Sequence, residues 1–168
     1  MSSGILTRIR LEPFYQQFLR GYYQISEPVF KFPRADADEL CLAYKFNNLL
    51  MPSPPNYKTP DFGEEMFIIE TPFQPDKDPF YYNYISTTRN EVLARAIEKA
   101  YRFYFHERMK DFRNGGFSYK ECVNLFLDEC NIDSKYSDRA IKDYQRWKIL
   151  VSVRKNQQKA QSQNRIIC

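Results

Sequence analysis

The segment that leaves this chain least freedom is "SYKECVNLFLDEC", residues 118–130. Its apolar residues Tyr119, Cys122, Val123, Phe126, Leu127 and Cys130 recur at i, i+3, i+4, i+7, i+8 and i+11 without a gap, the spacing of one helical face. Ser118 and Glu121 stand at the S-x-x-E spacing of a capping box, which fixes where that helix starts. A stripe this continuous must be covered by neighbouring elements. Upstream, Thr88 and Glu91 form a second such box, followed by Leu93, Ala96, Ile97, Ala100, Tyr104 and Phe105 on a helix over 88–112, broken by "RNGG" (113–116). Downstream, "NIDSKYS" (131–137) reads as a polar turn plugged by Ile132 and Tyr136. Ser137 then caps a third helix, "SDRAIKDYQRWK" (137–148), with Ala140, Ile141, Tyr144 and Trp147 on one side. Successive amphipathic helices with short connectors predict a trihelical unit resembling a helix-turn-helix in general architecture, although its connector is longer than the usual turn.

The N-terminal half predicts shorter, mixed elements. Ile5, Thr7, Ile9 and Leu11 alternate with Arg8 and Arg10, as in a half-buried strand. "EPFYQQFLRGYYQ" (12–24) opens on Pro13, suited to a first helical turn, and Gly21 leaves its end undefined. "PVFKFP" (28–33) predicts an edge strand between prolines. A helix is expected from about Asp36, with Glu39 completing a capping pair and Leu40, Ala43, Tyr44, Leu49 and Leu50 inward. The proline-rich "MPSPPNYKTPDFG" (51–63) is a loop, "EMFIIETPF" (65–73) a central strand, "QPDKDP" (74–79) a turn, and "FYYNYI" (80–85) a last strand. The expected class is α+β: a small N-terminal sheet with two helices (1–86), a C-terminal three-helix, helix-turn-helix-like unit (87–154), and a basic polar tail (155–168) expected to be flexible without a partner.

Composition bounds the function. With 43% apolar residues, 14 Phe, 13 Tyr and a single Trp, the chain can build an aromatic core. It has no run of about 18 apolar residues, so no membrane partner is expected, and "MSSGILTRIRLEPF" lacks a signal-peptide pattern. Cys41, Cys122, Cys130 and Cys168 have no metal-ligand spacing, and the terminal "RIIC" is not a prenylation box. A cytoplasmic location is the expectation. Catalytic motifs are equally scarce. His106 is the sole histidine and reads as a half-exposed helix residue, and neither phosphate-binding glycine motif occurs. "DADE" (36–39) and "GEE" (63–65) read as acidic helix starts or solvated carboxylates rather than metal sites. No catalytic residue, metal ligand or cofactor is therefore assigned, and a non-enzymatic protein is expected.

The strongest functional signal is charge placement. Residues 1–138 carry 17 basic and 20 acidic side chains, whereas residues 139–168 carry 8 basic ones and only Asp143. Such polarity suggests a polyanionic partner. On the third helix Arg139, Lys142 and Arg146 share the side opposite the apolar stripe. In a helix-turn-helix, Ser137, Asp138, Arg139 and Lys142 would reach base edges while Arg146, Lys148, Arg154 and Lys155 would meet phosphates. The expectation is a DNA-binding accessory or regulatory protein, acting as a homodimer on duplex DNA. The alternative is an assembly subunit that docks a protein through its aromatic and apolar surfaces. "ILVSV" (149–153) bears on both: continued as helix, Ile149, Leu150 and Val153 fall on the basic side, while the β-branched alternation fits a short strand or wing. The trihelical assignment is checked by Phe126→Ala, which should cost about 3–5 kcal/mol in chemical denaturation if Phe126 is a core residue.

Overall fold

The computed structural model describes residues 5–71, 74 and 76–165, with only the backbone described at 35 and 160–165. It is an α+β chain with two small antiparallel sheets and five α-helices among the described residues. Strand β1 (Leu6–Arg10) pairs with β3 (Met66–Glu70), Leu6 opposite Glu70 and Arg10 opposite Met66. On the other edge of β3 a parallel bridge is made by Phe30, whose N–H donates to Ile68 O (2.9 Å) and whose carbonyl accepts from Glu70 N (2.9 Å). The expected strand over 28–33 is thus reduced to this single bridge, consistent with its flanking prolines. Strand β2 (Met51–Pro52) lies in the proline-rich loop and pairs with β4 (Tyr82–Tyr84).

Helix α1 (Pro13–Tyr23) starts at its proline and ends at Gln24, whose positive φ lets its N–H return to Gly21 O. Helix α2 (Leu42–Leu49) begins later than the Asp36–Glu39 pair predicts, because residues Ala35–Ala37 form a 3-10 turn instead. The N-cap position is Cys41, and the carboxylate that serves this start is Asp38, three residues earlier: it accepts from Leu40 N (3.1 Å), Ala43 N (2.6 Å) and the Tyr23 hydroxyl (2.5 Å). This shift in start turns Tyr44 out to solvent and Phe46 into the core. Helix α3 (Thr87–Asn114) is capped by Ser86, which accepts from Arg89 N, rather than by the Thr88–Glu91 box. Helix α4 (Tyr119–Glu129) carries the complete Ser118–Glu121 box, and Val123, Phe126 and Leu127 are buried as its stripe demands. Helix α5 (Ser137–Arg165) is preceded by a 3-10 turn whose cap is Asp133, not Ser137. It continues through 149–153 and into the segment expected to be flexible, so the strand alternative for "ILVSV" is replaced by the helical one, with its second apolar face.

One core joins the two halves of the chain across the expected boundary at residue 86. At its centre the fully buried Tyr101 of α3 meets Phe14, Tyr15 and Phe18 of α1 edge to face, stacks on Phe105, and touches Phe126 of α4. Helix α1 reaches this position by a close approach to the end of α4. A β-carbon on Gly21 would stand 1.8 Å from the carbonyl oxygen of Cys130. Backbone on both sides leaves no flexible atom to give way. Gly21→Ala should therefore destabilise the fold by about 3 kcal/mol or more, the upper end for overpacking, measured as a lowered denaturation midpoint; a neutral variant would contradict this packing.

Candidate nucleic-acid interface

The candidate surface begins where α5 leaves the core. Ala140 and Tyr144 are buried against the bundle, and Trp147 is half-buried with its indole stacked on His106 of α3 at 4.3 Å. At about 100° per residue the same side of the helix continues as Lys148, Val151, Ser152 and Lys155. Helix α3 stops at Asn114, and along this continuation Val151 is half-covered while Lys148, Ser152 and Lys155 are exposed. A groove of about 540 Å³ results, with Lys110, Arg113 and Asn114 of α3 on one wall and Tyr144, Trp147, Lys148, Val151, Ser152 and Lys155 of α5 on the other. Four of its lining residues are cationic and none is a carboxylate.

The cations are not equivalent. Lys110 pairs with Glu107 one turn earlier (2.6 Å), which offsets part of its charge. Arg113 donates to the Phe117 carbonyl (2.7 Å), a neutral acceptor that orients the guanidinium and leaves its charge uncompensated. Lys148 lies 5.9 Å from the Tyr144 ring, and neither it nor Lys155 has a carboxylate partner among the described residues. A rim of solvated cations over aromatic rings can attract an anion and accept a flat group beside it.

The residues singled out in the sequence separate into three places. Arg139 is only partly exposed and is already engaged: its guanidinium bridges to Glu12, donates to the Tyr15 hydroxyl (3.3 Å) and lies over the Phe14 ring at 4.4 Å. Burial would lower its pKa, but the hydrogen bond and charge of Glu12 prevail and hold it above the usual guanidinium value. Ser137 points its hydroxyl at Asn124 Oδ1 (3.4 Å) of α4. The start of α5 is thus built into the protein. Lys142 and Arg146 are exposed and share the far side of α5 with Ile149, Leu150 and Val153, which are 63%, 58% and 47% exposed. Arg146 also lies 3.9 Å from Asp143. Lys148 and Lys155 line the groove, and Arg154 is exposed between the two faces. Sequence reasoning missed Lys110, Arg113 and Asn114. Their signal was two cations one turn apart at the end of a helix, which equally fits the favourable interaction of positive charge with a helix C-terminus.

Among the described residues no group of three or more metal-ligating side chains converges, and no helix is long and apolar enough to cross a membrane. No protein family, curated protein or solved structure matches this chain.

His106 gives the rear wall of this region a measurable signature. Burial, then the charges of Arg102 and Lys110, push its pKa down to about 4 against the opposing pull of Glu107. The folded chain therefore binds fewer protons than the unfolded one between these values. The neutral imidazole's contribution is intact above about pH 6.5 and is lost as the pH falls toward 4. His106→Gln should flatten the fall in denaturation midpoint across that window relative to the parent chain; parallel pH profiles would contradict the assignment.

Proposed function

We propose that this chain is a non-enzymatic DNA-binding protein of accessory or regulatory type, which holds a phosphate backbone along the second half of α5. The observation that carries this reading is the groove beside Trp147, with Lys110, Arg113, Lys148 and Lys155 and no carboxylate. The concentration of 8 basic residues against one acidic residue after position 138 supports it, because phosphate contacts depend on placed cations. The mode of binding differs from end-on insertion of a recognition helix. Ser137 and Arg139 are occupied by Asn124 and Glu12, so the flank of α5, and not its N-terminus, is the surface on offer.

A second reading, a subunit that docks a protein partner or a second copy, draws on the exposed Ile149, Leu150 and Val153. An apolar strip on a solvated helix is a frequent mark of a contact surface. The two readings separate in one set of variants. On the DNA reading, Lys148→Ala and Lys155→Ala each weaken binding to all sequences alike and reduce the slope of affinity against salt by about one unit. Ile149→Asp leaves binding to a labelled oligonucleotide intact. On the docking reading, the losses fall on Ile149→Asp, in sedimentation, and none on the lysines. Absence of binding to any nucleic acid at low salt, where the electrostatic contribution is largest, would end the DNA reading.

A further inference from the structure

We infer that the groove takes a single strand, with an unpaired base lodged against Trp147 and the adjoining phosphates on the surrounding cations. This rests on the nucleic-acid reading and specifies which form of nucleic acid the site accepts. The aromatic groups do not stand out on the surface. Tyr144 is only 6% exposed and backs Trp147, whose half-buried indole is the ring surface left in the groove between α3 and α5. A base paired and stacked inside a duplex does not present its face to a half-buried indole on a helix flank; a base turned out from a flexible strand can. The groove volume of about 540 Å³ is in the range of small-ligand sites.

Its chemistry is divided accordingly. Tyr144, Trp147 and Val151 supply apolar surface within the groove, while Lys110, Arg113, Lys148 and Lys155 supply charge. Stacking platforms combined with a cationic track are the features by which proteins hold unpaired strands without reading their sequence. Lys148 and Lys155 are two turns apart on one side of α5, about 10 Å along its axis. That separation lets them hold phosphates on either side of an inserted nucleoside. His106 stacks on Trp147 from α3 and fixes the indole, so the ring is already oriented before a base arrives.

Trp147 is the only tryptophan, so its fluorescence reports directly on this groove. The full chain is titrated at low salt with a twenty-nucleotide oligo-dT and with a duplex of the same length. Binding is read by anisotropy of labelled probes and stacking by intrinsic fluorescence with unlabelled ones. The expected result is tighter binding of oligo-dT than of duplex and quenching of Trp147 by oligo-dT. Trp147→Leu should weaken oligo-dT binding about tenfold, within the range measured for loss of one base–aromatic stack. Should that variant fold poorly, the preference and the quenching in the parent chain decide the matter. Duplex bound as tightly as oligo-dT or more tightly, or oligo-dT bound without quenching, overturns the single-strand assignment and leaves the nucleic-acid reading standing. No binding of either probe overturns both.

Discussion

The fold depends on what surrounds Tyr101. Its ring is fully buried and collects aromatic neighbours from α1, α3 and α4, most of them edge to face. Each such pair contributes about 0.5–1.5 kcal/mol beyond the area it buries. The contacts also carry direction, because a ring edge fits a ring face at few angles. Phe14 and Phe18, one turn apart on α1, therefore fix both the position and the rotation of that helix on α3. The Tyr101 hydroxyl has no hydrogen-bond partner among the described residues, so the side chain is held for its ring and bears the cost of an unpaired polar atom.

Two further constraints follow from the placement of α1. Its last turn comes so close to Cys130 that only a glycine fits at position 21. Its first turn presents Glu12, Phe14 and Tyr15 to Arg139, which links the start of α5 back to the N-terminal region. The α4–α5 connection is thus clasped from the side by α1. This clasp sets the course of α5 past the end of α3, and the groove is what remains between them. The site is a consequence of where α3 ends and how α5 is aimed.

Much of the helical framework was legible from the sequence. The Ser118–Glu121 box and the stripe behind it define α4 because cap and periodicity agree, and Pro13 marks the start of α1 for a local steric reason. Local pattern failed where a tertiary partner chose among equivalent candidates. Three carboxylates lie between residues 36 and 39, and Asp38 became the acceptor at the start of α2, where Tyr23 reaches it from α1. Gly21 left only the end of α1 undefined, since the approach of Cys130 is invisible along the chain. Arg139 illustrates the same limit. Its spacing puts it on a basic stripe with Lys142 and Arg146, and nothing local reveals that Glu12 stands opposite. The candidate groove was only half legible, because Lys148 and Lys155 belong to the conspicuous basic segment whereas Lys110 and Arg113 join them only through the packing of α3 on α5.

The length of α5 has a mechanical meaning. The helix spans 29 residues, but its last fully buried side chain is Tyr144, and from Lys148 onward every described side chain is exposed or at most half-covered. The part beyond Trp147 is a rod of roughly 27 Å at 1.5 Å per residue, none of whose described side chains is buried. Such a rod works as a lever whose fulcrum is the Tyr144–Trp147–His106 contact. A tilt of about 10° at that point would sweep its far end through roughly 5 Å, by the geometry of a helix of that length. A displacement of the far end would therefore reach the aromatic contact at the fulcrum as torque, beside the same core that Tyr101 organises.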